Sequence, residues 1–276
     1  MEGPGKMTAE ISHIDSFMVD LDGTTYLGDS LIAGAADFYH AAVAAGKKVL
    51  YLTNNSSRSP ARYHEKLRTL GIPVREGEVF TSGEATISYL EKRPYRSIFP
   101  LATADFRTMM AQAGFDVTNE MQTRAGSRPD CVVLGYDTEL TYEKLKRACL
   151  LLIEGAAFVA SHPDAVCPTD EGPVPDAGSM LPMIEAATNR RPEIIVGKPN
   201  PLMLELALKR MNAAAGTAAM VGDRLSTDIA MAADFGITSV LVLTGGTTRA
   251  EAAEFPRKID HIFTSIADMV PLLRQR

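Results

Sequence analysis

Cysteine is scarce in this chain, and the three that occur, Cys131, Cys149 and Cys167, form no CxxC pair. An odd, sparse count excludes a disulfide framework and fits reduced thiols in a cytoplasmic protein. Long hydrophobic runs are also missing. None approaches the ~18 residues of a membrane span. The opening MEGPGKMTAE holds no apolar core of a signal peptide, and a disordered tail is expected there. No basic run offsets the net charge of −6, from 28 basic and 34 acidic residues. Such a chain has no general electrostatic pull on nucleic acid or an anionic membrane. GxGxxG and GxxxxGK[ST] are absent, so dinucleotide and P-loop readings lack support. The five histidines are scattered with no metal-ligand spacing, and there is neither an internal repeat nor a low-complexity tract.

What is present is an ordinary globular composition, 46% hydrophobic and 22% charged over 276 residues. That length suits one large domain or two smaller ones. Short apolar runs at 16–21, 48–53, 131–136, 157–162, 193–198, 218–223 and 239–245 read as buried strands. Amphipathic helical patterns at 34–46, 60–70, 201–212 and 227–235 fall between them, with Pro60 and Pro201 as starts and Gly46, Gly71 and Gly236 as stops. The alternation predicts an α/β fold with a parallel sheet covered on both faces. Charge and proline at 91–97, and prolines, glycines and acids at 168–179, read as hinge-like connections. They bracket an inserted domain, so a core of 1–91 and 178–276 is expected to carry an insertion at 92–177.

Chemistry concentrates where strands end. Four polar clusters follow apolar runs assigned to the core: Asp20-Leu-Asp22-Gly23-Thr24, Thr53–Ser57 (TNNSS), Gly197-Lys198-Pro199, and GDRLSTD with Asp223 and Asp228. Ligands of open α/β sheets bind beyond the carboxyl ends of strands. Any one cluster alone reads as a turn or a helix cap. All four in that setting supply carboxylates, hydroxyl and amide donors and one lysine, a set that suits a divalent cation plus a phosphate. Hard Mg²⁺ would offset the repulsion among Asp20, Asp22 and Asp223. Lys198 can neutralise a phosphate oxygen, Thr53 and Asn54 can donate, and Gly23 permits close backbone approach. One carboxylate can attack phosphorus while a second handles the proton of the leaving oxygen.

These four clusters, in this order, resemble the haloacid dehalogenase-like phosphohydrolases. DLDGT, TNNSS, VGKPNP and VGDRLSTDI are similar to the NagD-like branch, as are FVASHPD and PTDEGPVPDAGSM in the middle of the chain. The resemblance implies a Rossmann-like core, an α/β cap between the second and third motifs, and phosphatase activity on a small phosphometabolite. It implies Asp20 as nucleophile, Asp22 as general acid/base, and Thr53 and Lys198, with Asn54, as holders of the phosphoryl group. Mg²⁺ would be held by the Asp20 carboxylate, the Asp22 backbone carbonyl and Asp223, with Asp228 acting one layer out or through water. A homodimer through the cap is an option that the sequence alone does not establish.

Some positions depart from the branch. His162 stands where Asn is common before Pro-Asp, and Ser226 stands where an acid is often found. The 175–178 turn is less glycine-rich, and 98–106 lacks an expected glycine. The departures bear on substrate choice rather than on the chemistry. His162, within the cap stretch, is a candidate for substrate contact. Arg58 and Arg224 read as solvated, and Cys167 reads as inert. Competing functions are a phosphometabolite-binding protein without turnover, a mutase, and a dehalogenase, the last disfavoured by Asp22.

Overall fold

The computed structural model describes residues 11–119, 128–169 and 171–274. The expected tail at 1–10 lies outside them. In chain order the strands are β1 (Ser16–Val19), β2 (Tyr26–Leu27), β3 (Ser30–Leu31), β4 (Lys48–Thr53), β5 (Val79–Thr81), β6 (Ser97–Leu101), β7 (Asp116–Val117), β8 (Cys131–Leu134), β9 (Ala157–Ala160), β10 (Val166–Thr169), β11 (Gly172–Pro175), β12 (Ile194–Ile195), β13 (Ala218–Gly222), β14 (Thr238–Val242) and β15 (His261–Phe263). The described residues fall into two compact units. One takes in residues up to Leu52, His64–Val79, and Leu204 onward; the other takes in Thr53–Tyr63 and Phe80–Met203. The second unit is wider than the expected insertion at 92–177.

The first unit is built on a six-stranded sheet in the order β15-β14-β13-β1-β4-β5. β1 pairs in parallel with both β13 and β4, which brings Val19 level with Val221 and Tyr51. Every residue of β1 and β13 is buried. Their near-continuous apolar sequences follow from that, since a central parallel strand is covered on both faces. Phe17 of β1 meets Phe38 of the helix Ala35–Ala44 edge-on, with ring centroids 5.4 Å apart. Strands that end at one edge of this sheet deliver Asp20 after β1 and Asp223 after β13.

The second unit has its own parallel sheet of five strands, in the order β12-β9-β8-β6-β7. Its core joins Phe99, Val132, Leu134 and Phe158 of the sheet to Leu151 and Leu152 of the helix Tyr142–Ile153 and Ile184 of the helix Ala177–Thr188. Each such side chain, fully buried, contributes about 1.5–3 kcal/mol. Thr141 caps Tyr142–Ile153 by accepting from the Lys144 amide at 3.2 Å. The Lys144 ammonium is buried on the Asp137 carboxylate at 3.1 Å. No helix among the described residues is long and apolar enough to cross a membrane.

Three expectations need correction. The 168–179 stretch is not a plain connection. β10 and β11 form an antiparallel hairpin, and the helix Ala177–Thr188 begins at once behind it. Pro168, Pro173 and Pro175 disguise this, but a two-stranded ribbon is all edge and tolerates proline. The 193–198 run does not join the six-stranded sheet, as assigned; its short strand β12 pairs with β9, Ile194 against Val159. Apolar sequence marks a strand but not the sheet it enters. Finally, the helical pattern at 227–235 starts earlier, as a π-helical turn over Leu225–Ile229 that leads into Ala230–Phe235.

Candidate functional site

Asp20, Asp223 and Asp228 converge in the first unit. All three are buried, and one carboxylate oxygen from each lies within 4.8 Å of the others. The backbone fixes the first: the Asp20 amide donates to the Val221 carbonyl at 2.9 Å, and the Thr25 hydroxyl donates to the Asp20 carbonyl at 2.7 Å. Asp22 is half-buried and bridges to Tyr26. Gly23 adopts φ +89°, where L side chains are disfavoured, and its amide donates to the Tyr26 carbonyl at 2.8 Å. A Cβ on Gly23 would stand 2.5 Å from Asp223 Oδ2.

The second acid is held by residues that the sequence reading passed over. Asp223 Oδ2 accepts from the Gly246 amide at 2.6 Å, and the Thr24 hydroxyl donates to Oδ1 at 3.4 Å. A Cβ on Gly245 would lie 2.1 Å from Asp223 Oδ2 and 2.8 Å from the Gly23 Cα. The Gly245-Gly246 pair after β14 is the signal that was available in the sequence. Asp228 reaches back from the π-helical turn: its Oδ2 accepts from the Arg224 amide at 3.2 Å, and Gly222 has no Cβ to obstruct it. The wide i→i−5 turn, with the Ile229 amide on the Arg224 carbonyl, is a feature frequent at functional sites.

Thr53, Asn54 and Lys198 fall in the second unit. Asn54 grips the Lys198 backbone twice: its Oδ1 accepts from the Lys198 amide at 2.8 Å, and its Nδ2 donates to the Lys198 carbonyl at 3.0 Å. Nδ2 also lies 3.2 Å from both oxygens of Asp164. Thr53 Oγ1 accepts from the Asn55 amide at 3.1 Å, and the Ser82 hydroxyl donates to the Asn54 carbonyl. Gly197 must be small, since a Cβ would come within 2.6 Å of Asn54 Oδ1 and 2.8 Å of His162 Cβ. Lys198 is 2% exposed.

His162 is fully buried, with Nδ1 2.8 Å from Ser161 Oγ and Nε2 2.8 Å from Asp176 Oδ1. Arg58 is exposed, as expected. The cysteines are free thiols, and burial pushes Cys131 and Cys149 up, away from the reactive thiolate. Burial and the nearby Cys167 thiol raise the Tyr136 hydroxyl.

Residues 17–116 match the haloacid dehalogenase-like hydrolase family, and residues 195–269 match a related HAD-hydrolase-like family. A 5'-nucleotidase of Bacillus subtilis, YutF, is 31% identical over 93% of this chain and 98% of its own. The crystal structure of a 4-nitrophenylphosphatase from Thermotoga maritima superposes with a TM-score of 0.88 at 41% identity, covering 94% of this chain and 97% of that one. A glycerol phosphate phosphatase from Mycobacterium tuberculosis, solved in complex with magnesium, gives 0.84 at 30% identity, over 95% and 77%. With four motif clusters in family order and a buried acid triad at the carboxyl ends of parallel strands, the chain belongs to the haloacid dehalogenase-like hydrolases and is a phosphatase of their NagD-like branch.

Proposed function

We propose that this phosphatase hydrolyses small-molecule phosphate monoesters with Mg²⁺, through an aspartyl-phosphate formed on Asp20. The observation that carries the reading is the buried triad of Asp20, Asp223 and Asp228. Three carboxylates so close together repel one another at a cost that a bound cation removes, and an all-oxygen donor set suits a hard ion. Asp20, Asp223 and the Asp22 backbone carbonyl would hold Mg²⁺, with Asp228 supporting them. When bound, the ion supplies positive charge that offsets the negative charge of the phosphoryl oxygens.

The protein's residues divide the reaction into two steps. A carboxylate oxygen of Asp20 attacks phosphorus, and the bond from phosphorus to the ester oxygen breaks. Asp22 gives its proton to that oxygen, and the alcohol departs. Asp22 then takes a proton from water, whose oxygen attacks phosphorus and frees the Asp20 carboxylate. Lys198 and Thr53 hold the phosphoryl oxygens, Asn54 fixes the Lys198 backbone, and Gly23 lets main-chain N–H groups approach the anion. An inserted α/β cap belongs to the same proposal, with small phosphometabolites as the substrates.

The test is release of inorganic phosphate from sugar phosphates, nucleoside monophosphates, phosphoglycolate, pyridoxal phosphate and p-nitrophenyl phosphate, with and without Mg²⁺. Mg²⁺-dependent release is expected, and the ranking across the panel identifies the substrate class. Release that is equally fast in chelator would overturn the assignment of the metal.

A further inference from the structure

Ser56, Ser161, His162 and Asp176 form an unbroken, buried chain within the second unit, and one assignment of their hydrogens satisfies every contact in turn. A carboxylate only accepts. Asp176 Oδ1 takes the Ala177 amide at 2.5 Å and lies 2.8 Å from His162 Nε2, so Nε2 carries the proton. With Nδ1 as the acceptor, the Ser161 hydroxyl, 2.8 Å away, donates to it. With its hydrogen spent, Ser161 Oγ accepts from the Ser56 hydroxyl at 3.0 Å. Ser56 Oγ in turn accepts from the Tyr136 amide at 2.9 Å. Every donor points the same way, from Tyr136 to Asp176. Ser56, Ser161, His162 and Asp176 are each at most 3% exposed, so this is not a hydrolytic triad open to substrate.

The middle of the chain lies beside the proposed phosphoryl-binding residues. The Ser161 carbonyl accepts from the Gly197 amide at 2.7 Å, and His162 Cβ packs where a Gly197 side chain would sit. Two residues further on, Asp164 receives Asn54 Nδ2, the same amide that grips Lys198. Residues 161–164 therefore hold both Gly197-Lys198 and Asn54. We propose that His162 and Asp176 are a positioning pair, which locks the 161–164 segment and through it sets the placement of Lys198 for phosphoryl transfer. Asn at position 162 reproduces the reach of Nδ1 to Ser161 but not that of Nε2 to Asp176. The histidine thus adds a second anchor, at the start of the helix Ala177–Thr188.

The inference rests on the proposed role of Lys198, and the experiments separate the two. In ¹⁵N-detected NMR of the unmodified protein, His162 should carry a slowly exchanging proton at Nε2 and none at Nδ1; a proton on Nδ1 would overturn the chain. In steady-state phosphate release, His162→Asn and Asp176→Ala should each lower kcat about tenfold, with KM and the Mg²⁺ requirement within twofold of the parent. Asp176→Asn keeps an acceptor oxygen for Nε2 and for the helix cap, and should restore kcat. A purely structural role would lower the melting temperature and leave kcat unchanged well below it, which would refute the proposal. Should Asp176→Ala not fold, His162→Asn and the NMR signal decide. Lys198→Ala, measured alongside, completes the set. If it abolishes turnover while His162→Asn does not change kcat, the positioning role fails and the reading of Lys198 stands. If it leaves turnover intact, both fall.

Discussion

Gly245→Ala perturbs the geometry of the acid triad directly. The position is exposed, and its backbone lies outside the left-handed region, so alanine meets no conformational penalty. The new methyl meets two obstacles, the Asp223 carboxylate and the Gly23 Cα, the latter at 2.8 Å. The methyl carbon would stand 2.1 Å from Asp223 Oδ2, against an ordinary contact of 3.4 Å or more. The carboxylate must retreat by about 1.3 Å, beyond the steep part of the contact potential. That retreat breaks the 2.6 Å bond from the Gly246 amide and moves a proposed metal ligand. Displacements near 1 Å cost about 100-fold in turnover, and disturbed support of metal ligands costs about 10–100-fold in affinity. We expect the Mg²⁺ concentration for half-maximal phosphate release to rise about 10–100-fold, or about 1.4–2.7 kcal/mol. Contact with the Gly23 backbone should also lower thermal stability, so the Mg²⁺ response is read well below the melting transition. The control is Gly216→Ala, where a Cβ meets nothing within 4 Å, and whose Mg²⁺ response should match the parent. If Gly245→Ala titrates like the parent, Asp223 is not a metal ligand, and the reasoning from the triad fails.

Three further outcomes follow from other parts of the molecule. Asn54→Ala removes both bonds to the Lys198 backbone and should destabilise the protein by about 2–4 kcal/mol in urea unfolding, since two buried bonds are lost and their partners stranded. Asp137→Ala leaves the buried Lys144 ammonium without its carboxylate and should cost about 3–5 kcal/mol, whereas replacing both residues by leucine should recover most of that loss. Asp260 is half-buried, which raises its carboxyl, but Lys258 and the Ser239 N–H and O–H outweigh burial and leave it below the usual range. Its contribution to stability is present at neutral pH and lost as pH falls through the lowered folded value. Asp260→Asn should therefore be less stable than the parent at neutral pH, with the difference closing in acid; a gap that is constant with pH would rule this out.

Much of the fold was legible because parallel strands buried on both faces leave unbroken apolar runs, as in FMV and AMV of β1 and β13. The four polar clusters were legible because they break those runs abruptly. Sheet membership was not legible: EIIV looks like the other strands, and only pairing with Val159 and Ala160 assigns it to the second unit. The β10–β11 hairpin was hidden by prolines that a central strand would refuse and a ribbon accepts. The burial of His162 was not legible, because a histidine beside Pro-Asp carries no local sign of it; its partner Asp176 stands fourteen residues on. Gly245 and Gly246 were overlooked for a related reason. Their meaning lies in a missing side chain that makes room for an aspartate more than twenty residues away, and composition does not record such a gap.

The central claim is that Asp20 is the nucleophile that accepts the phosphoryl group. It is tested most directly by phosphate release from Asp20→Asn in saturating Mg²⁺, with circular dichroism and a melting curve recorded on the same sample. The account predicts turnover reduced to background in a protein whose fold and melting transition match the parent. Turnover within tenfold of the parent, in that folded variant, would contradict it.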